Sequence, residues 1–125
     1  MAVSMALLLH VAKKRQGRDD SRRLARVAAG ADLSKWPGPL LSLDMGKTTA
    51  GKVMAAAADA GDGRHKWDVC EANYFIGEDA LFHHQQMEAL AHLKAARDSC
   101  PTWDADRLAS LAELKRLGTQ TASAP

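Results

Sequence analysis

Two histidines and a glutamate recur at intervals of four residues, a spacing that can place metal ligands on one face of a helix. His84, Glu88 and His92 form this series, and imidazole and carboxylate groups are common zinc ligands. However, His84 belongs to the polar stretch HHQQ, which predicts a turn, so the shared face is expected to break there. The HExxH pattern of zinc hydrolases is also missing from the sequence. A metal-dependent enzyme that uses the histidines is therefore the less favoured hypothesis, and we expect surface histidines without a metal.

The segment GKTTAGKV has the spacing of a nucleotide-binding loop. Residues Gly46 to Lys52 match the G-x-x-x-x-G-K core, but Val53 stands where a serine or threonine would bind magnesium. The residues before Gly46 contain two prolines and predict a short helix, whereas a phosphate-binding loop follows a buried strand. We therefore expect the end of one helix and the start of another, with no nucleotide cofactor. No serine or cysteine stands in a recognisable nucleophile pattern either, so we expect a protein that is not an enzyme.

Basic residues are concentrated near the N-terminus. Residues 1–26 carry seven lysines and arginines against two aspartates, a local charge of +5 in a chain whose formal net charge is +2. The cluster consists of Lys13, Lys14, Arg15, Arg18, Arg22, Arg23 and Arg26. A basic helix can bind nucleic acid or an acidic partner. Because Gly17 and the two aspartates split the cluster and no aromatic residues interleave with it, a solvated surface is the favoured interpretation and nucleic-acid binding the alternative.

Helical periodicity and helix-ending residues predict an all-α fold, as does a composition rich in Ala and Leu with 5% aromatic residues. Residues 1–118 are expected to form one helical domain, and residues 119–125 a disordered tail. Within the domain we predict a first hairpin over 1–33, short helices and a loop over 34–67, a central hairpin over 68–103, and a capping helix over 104–118.

The central hairpin carries the clearest helix signals. Its first helix is predicted from Asp68 to about Phe82, with Glu71 completing an acidic capping box. Its second helix is predicted from about Gln86 to Ser99, because Pro101 cannot continue it. A glycine inside a helix costs about 1 kcal/mol relative to alanine. Gly77 therefore predicts a close approach of the second helix to the first.

Small residues of the central hairpin have the spacings of the tetratricopeptide repeat (TPR) family, which this segment resembles. In that family a small residue in the first helix is followed by Ala twelve residues later, Ala seven after that, and Pro five further on. Gly77, Ala89, Ala96 and Pro101 meet these spacings. The resemblance implies a short α-solenoid of antiparallel hairpins, and a protein–protein interaction module acting as an adaptor or scaffold for a protein or peptide partner.

The TPR resemblance also implies a concave binding surface lined by the first helix of each hairpin. In the central hairpin the residues on that surface would be Glu71, Tyr74, Glu78, Leu81 and Phe82. The two carboxylates would contact basic or amide groups of the partner, and the aromatic rings would supply apolar area. The alternative is that Leu81 and Phe82 pack on a neighbouring helix.

Segments outside the hairpin extend the resemblance to bacterial lipoproteins of the NlpI type, in their C-terminal portion. The sequence KWPGP precedes the hairpin and ELKRL follows it, in the order found there. This resemblance suggests a periplasmic or envelope-associated protein, but the chain shows no export signal, so the compartment stays open. No apolar run reaches the length of a membrane span. The apolar N-terminal helix is expected to mediate homo-oligomer formation, through Met5, Leu7, Leu8, Leu9 and Val11.

The two cysteines lie at neighbouring ends of the predicted hairpin helices. Cys70 stands near the start of the first helix and Cys100 just past the end of the second. Packed helix axes are roughly 8–10 Å apart, whereas bridged cysteines need Cα atoms within about 7 Å. Since Cys100 lies where the chain leaves its helix, it can approach Cys70. Two interpretations remain: a disulfide in an oxidising compartment, or two buried thiols in a reducing one.

Overall fold

Seven helices and no β-strand make up the part of the chain that the computed structural model describes, which comprises residues 2–59, 61 and 63–123, with side chains as far as Gly118. The predicted all-α class is therefore confirmed. The helices are α1 (Ala2–Arg15), α2 (Ser21–Ala29), α3 (Gly38–Asp44), α4 (Ala50–Ala58), α5 (His65–Phe82), α6 (Gln86–Ser99) and α7 (Ala105–Ser123). None of the helices described is long and apolar enough to cross a membrane.

Helix α5 lies at the centre of the fold. It contacts α1, α3, α4, α6 and α7. Residues 72–78 are buried without a break, which is impossible for a helix that keeps one solvated face. The sequence around them, ANYFIGE, is accordingly apolar or small on every side except at Asn73 and Glu78. Both polar side chains therefore need partners from other helices.

The central hairpin forms where it was predicted, with one difference at its start. Helix α5 begins at His65 instead of Asp68, with Arg64 as its N-cap residue, and α6 has the predicted bounds. Asp68 thus lies inside the helix, and the predicted capping box with Glu71 is wrong. The turn between the helices is tight, and His84 adopts a left-handed conformation with φ of 58°.

Close packing of α5 on α6 occurs at Gly77. A Cβ atom at this position would lie 2.8 Å from Cγ of Leu93 and 3.4 Å from the carbonyl oxygen of Ala89. Leu93, Ala89 and Ala96 have no exposed surface. The close approach predicted from the glycine is therefore present, and there is no room for a side chain.

Helix α1 buries one face and exposes another. Leu7 and Val11 are 0% and 6% exposed, whereas Met5, Leu8 and Leu9 remain 54%, 53% and 43% exposed. The buried face packs against α2, α3 and α5. Homo-oligomer formation through α1 stays a prediction, and the exposed apolar residues are those it would cover.

The segment between the hairpins contains the short helices α3 and α4 in the region where short helices were predicted. Helix α3 begins at Gly38, and before it the Ser34 N–H donates to Asp32 Oδ1 at 3.0 Å. Gly38 packs so closely on the chain before it that a Cβ atom there would lie 2.5 Å from the backbone of Leu33. The indole of Trp36 donates to Glu71 Oε1 at 2.7 Å and ties this segment to α5.

The glycine-rich stretch from Gly46 to Lys52 joins two helices. Gly46 follows α3 with φ of 72°, and the side chain of Thr49 caps α4 by accepting a hydrogen bond from the Lys52 N–H at 3.3 Å. A phosphate-binding loop instead connects a strand to a helix. The segment is thus a helix end followed by a helix start.

Helix α7 is longer than the predicted capping helix. It continues through Gly118 to Ser123, so residues 119–123 of the predicted tail have a helical backbone, while residues 124 and 125 lie outside the described part of the chain. Gly118 does not adopt the left-handed conformation that ends many helices. Ser110, Glu113 and Leu117 form the face of α7 that is buried against the rest of the protein.

Candidate functional site

Two residues predicted to line a concave surface lie in the interior. Tyr74 and Glu78 are 5% and 1% exposed, because α1 and α7 both pack on the face of α5 that carries them. In this structure their side chains are not available to a partner. Glu71 is half-buried and accepts the hydrogen bond from Trp36. Leu81 and Phe82, at the end of α5, are half-buried and pack partly against the hydrophobic core.

Glu78 and Glu113 form a buried pair of carboxyl groups that share Arg15 as a hydrogen-bond donor. Arg15 of α1 donates one hydrogen bond to Glu78 Oε1 at 2.7 Å and another to Glu113 of α7, which also accepts from Arg116. Burial and, after it, the adjacent Glu113 raise the pKa of Glu78 to about 8, against the opposing charge of Arg15. Burial also opposes ionisation of Glu113, but hydrogen bonding from Glu78 and the charge of Arg15 outweigh it and lower the Glu113 pKa.

The proton of the carboxyl pair therefore resides on Glu78. Glu78 Oε2 has no hydrogen-bond partner among the described residues, so it is the oxygen left to carry the proton. Near neutral pH the network holds two guanidinium charges against one carboxylate. Both carboxyl side chains are 1% exposed, whereas Arg15 and Arg116 are each 48% exposed. The surface above the network is consequently positive.

An open depression of about 490 Å³ lies beside this positive surface, between the C-terminal ends of α1 and α5 and the adjacent part of α7. Its lining residues are Lys14, Arg15, Leu81, Phe82, Arg116 and Leu117. We call it the α1–α5–α7 depression. The Lys14 Nζ atom lies 6.0 Å from the centre of the Phe82 ring. The depression thus combines three apolar side chains with three cationic ones.

The sequence did not reveal this combination. Arg15 lies 63 residues from Glu78 and 98 residues from Glu113. Each arginine belongs to a basic segment that resembles a solvated surface when it is considered alone. The one local signal was Glu78, a charged residue that follows a mostly apolar helical segment. A buried carboxylate of this kind needs a partner from elsewhere in the fold.

A second polar cluster surrounds His10 on α1. Its ring is flanked by Asp20, with Nδ1 3.4 Å from Oδ2, and by Asp44, with Nε2 4.0 Å from Oδ1. Burial lowers the pKa of His10 and raises that of Asp44 to about 8. These groups border a cavity of about 360 Å³. A neutral imidazole beside a protonated carboxyl can exchange a proton, but the nearby Ser21 hydroxyl donates to Asp19 and is not activated as a nucleophile.

The raised pKa of Asp44 predicts a pH dependence of stability. The folded chain keeps this proton up to about pH 8, whereas an unfolded chain releases it near the ordinary value of 3.8. Between these values the folded state binds more protons, so the contribution of Asp44 to stability decreases as pH rises. In Asp44→Asn this loss disappears. We expect the free energy of unfolding of the variant, relative to wild type, to increase by on the order of 1 kcal/mol between pH 6 and pH 7.

Urea denaturation of both proteins at each pH measures the effect. Asp59→Asn, which changes an exposed carboxylate at the end of α4, is the matched control and should show no such trend. Parallel stability curves for wild type and Asp44→Asn across this window would show that Asp44 is ionised in the folded protein.

The histidine series does not share one face. His84 lies exposed in the turn, and the ring of His92 points toward α5, where Nδ1 is 2.9 Å from Asn73 Oδ1. Asn73 in turn donates to the carbonyl of Val69 at 3.1 Å. His92 thus provides a hydrogen-bond partner for Asn73, a buried polar residue on the mostly apolar surface of α5.

Several residues of the basic cluster form ion pairs within the protein. Asp20 is buried and pairs with Lys13 at 3.4 Å and with Arg23. Arg15 is engaged by the carboxyl pair described above. Arg22 and Arg26 are exposed one turn apart on α2. The seven cations therefore do not form one continuous surface.

A disulfide joins Cys70 to Cys100, with the Cα atoms 5.0 Å apart. The sequence left open whether these cysteines form a disulfide or remain two buried thiols, and the structure contains the disulfide. Near it the indole rings of Trp67 and Trp103 contact each other, with centres 5.1 Å apart and planes inclined at 46°. The start of α5 and the chain after α6 are thus held together by a covalent bond and by an aromatic contact.

No protein-family model, curated protein or solved structure matches this chain. Any conclusion about function therefore depends on the residues of the chain and on the geometry that the fold gives them.

Proposed function

We propose that this chain is a non-catalytic protein-binding module whose α1–α5–α7 depression binds a partner segment carrying carboxylates beside an apolar side chain. The observation that carries the proposal is the lining of the depression. Leu81 and Phe82, beside the buried Leu117, supply apolar area, while Lys14, Arg15 and Arg116 supply positive charge. Apolar anchors surrounded by charged groups are typical of protein-recognition sites.

The charge of the depression favours an acidic partner. The carboxyl groups that pair with Arg15 and Arg116 are buried beneath them, and the proton on Glu78 leaves the network with a net positive charge. A partner carboxylate would thus meet the exposed half of each guanidinium without displacing a surface acid. Single-stranded nucleic acid is a poorer fit, because aliphatic side chains and one Phe ring provide few surfaces for base stacking.

The TPR assignment forms part of this proposal. It is supported by the spacing of Gly77, Ala89, Ala96 and Pro101, and by the way Gly77 receives Leu93 and Ala89 of the second helix. Two of the surface residues implied by that family, Leu81 and Phe82, border the depression. The proposed binding surface therefore lies at the C-terminal end of α5, and Tyr74 and Glu78 support it from below.

Binding of a labelled peptide tests the proposal. We expect a fluorescein-labelled decapeptide of alternating Glu and Leu to bind, and the counterpart of alternating Lys and Leu not to bind, in fluorescence anisotropy at physiological salt. Lys14→Glu replaces an attraction by a repulsion, and we expect it to weaken binding of the acidic peptide by about tenfold. Lys14 lies at the exposed end of α1, so the variant should fold.

Arg22→Glu is the matched control, since it reverses one charge of the same N-terminal cluster outside the depression. The control should bind the acidic peptide nearly as well as wild type. An equal loss in both variants would assign acidic-partner binding to the whole Lys13–Arg26 cluster instead. No difference between the acidic and basic peptides would refute the proposed site.

A further inference from the structure

Three potential metal ligands lie close together, one near the start of α5 and two in the segment between α6 and α7. Cys70 is 1% exposed, Cys100 is 8% exposed, and Asp104, which precedes α7, is half-buried. One ligand atom from each lies within 4.8 Å of the others, and Cys70 Sγ is 3.4 Å from Asp104 Oδ1. Among the described residues this is the one group of three acidic, histidine or cysteine side chains so arranged.

We infer that reduction of the disulfide converts this group into a binding site for a thiophilic divalent cation of the zinc class. A dithiol reductant supplies two electrons and two protons, so that the disulfide becomes two thiols while the dithiol is oxidised to its own disulfide. Zinc then displaces the two thiol protons and forms two Zn–S bonds, with Asp104 as the third ligand and water as the fourth. Thiolate and carboxylate oxygen are both ordinary zinc ligands, at about 2.3 Å and 2.0–2.2 Å.

Contacts that do not involve the disulfide hold the ligands in place. The Asp104 N–H donates to the Pro101 carbonyl at 3.0 Å, and the Asp106 N–H donates to Asp104 Oδ1 at 2.7 Å. Arg107 donates to the carbonyl of Arg97 at 3.2 Å. These bonds fix the local conformation of residues 101–107. The contact between the Trp67 and Trp103 indoles, together with the packing of α7 on α5, keeps this segment beside α5 when the sulfurs separate. The bond from Asp106 also orients the Asp104 carboxylate, as outer hydrogen bonds do in metal sites.

The electrostatic surroundings also suit a divalent cation. Glu71 and Asp106 lie close enough to interact with each other and with Asp104, and Glu71 also interacts with Asp68. Arg64 is the cation that faces Asp68 and Glu71, and the Arg107 side chain is directed at backbone carbonyls. A cation bound between the sulfurs and Asp104 would thus reduce repulsion among several carboxyl groups.

Titration with Co²⁺, a spectroscopic substitute for Zn²⁺, tests the site in the full chain. Protein freed of metal by chelation and kept reduced should bind one equivalent and show the charge-transfer absorption of thiolate-bound cobalt. The oxidised protein should show neither, because a disulfide offers no thiolate. Zinc should displace the cobalt and abolish the absorption. Cobalt binding by the oxidised protein to the same extent would overturn the inference, as would the absence of a thiolate signal in the folded, reduced protein.

Asp104→Asn isolates the third ligand, because asparagine keeps the oxygen that caps α7 but removes the charge. We expect about a tenfold or greater loss of Co²⁺ affinity, and no loss in the control Asp98→Asn at the exposed end of α6. Unchanged affinity in Asp104→Asn would overturn the three-ligand site. Should reduced protein unfold without metal, circular dichroism decides: Zn²⁺ must restore the helical signal to wild type and fail to restore it to Cys70→Ser.

Discussion

Reduction of the Cys70–Cys100 disulfide is expected to lower the free energy of unfolding by about 3.5 kcal/mol. The bridge joins residues separated by 30 positions. On the chain-entropy model, closing a loop of that length removes enough freedom from the unfolded state to account for 3–4 kcal/mol. This is a large share of the stability of a small domain, which is roughly 5–15 kcal/mol. The contact between Trp67 and Trp103 does not involve the disulfide, so we expect the fold to weaken without losing its topology.

Denaturant unfolding of one preparation with and without reductant measures this loss, in the presence of a chelator so that no metal compensates for it. The double variant Cys70→Ala/Cys100→Ala is the control. It should be less stable than the oxidised wild type and insensitive to reductant. Equal midpoints for oxidised and reduced wild type would mean that the bridge contributes nothing to stability.

Replacement of Gly77 by leucine is expected to destabilise the protein by about 1–3 kcal/mol, the range for overpacked cores. The first atom of any side chain would lie 2.8 Å from Cγ and 2.9 Å from Cδ2 of Leu93. Leu93 is fully buried. Either its side chain or the two helices must therefore shift, at the most extensive contact that α5 makes.

The same substitution at Gly51 provides a matched control. Gly51 lies in the first turn of α4, and a Cβ atom there meets nothing within 4 Å. Because leucine favours the helix over glycine by up to about 1 kcal/mol, Gly51→Leu should be neutral or stabilising. Thermal melts monitored by circular dichroism compare the two. Similar melting temperatures for both variants would show that α5 and α6 are not closely packed at Gly77.

A second substitution distinguishes crowding from a general defect. Leu93→Ala leaves a cavity, and in its presence Gly77→Leu can fill the vacated space. We expect the double variant to be more stable than the sum of the two single effects predicts, by about 0.5–3 kcal/mol. Additive effects would place the two residues out of contact.

The proposed binding site and the proposed metal site lie in different parts of the molecule. Lys14 and Phe82 are at the C-terminal ends of α1 and α5, whereas Cys70 and Asp104 are near the start of α5 and of α7. The two sets of variants can therefore be examined independently. Lys14→Glu should leave cobalt binding unchanged, and Asp104→Asn should leave peptide binding unchanged.

Local interactions explain why several elements could be predicted from the sequence. The bounds of α6 and the end of α5 depend on the polar turn after Phe82 and on Pro101, signals that act within about four residues. The packing at Gly77 was also predictable. A glycine inside a helix is less favourable than alanine, so its presence indicates that a neighbouring helix approaches too closely for a side chain. The start of α5 was not, since the fold extends the helix to His65 across a segment with weak local preference.

Only the tertiary structure decided which residues of α5 face a partner. A helix of an open solenoid would expose Tyr74 and Glu78, but α1 and α7 pack over them, and Arg15 and Glu113 satisfy the buried carboxyl from positions 63 and 35 residues away. Such pairs depend on how whole helices pack against one another. Sequence signals that act within a few residues do not predict that packing. The same holds for His10 with Asp44 and for the cysteines with Asp104. The sequence by itself therefore determined the helices and their closest pair, and the docking of distant helices determined the electrostatic character of the candidate site.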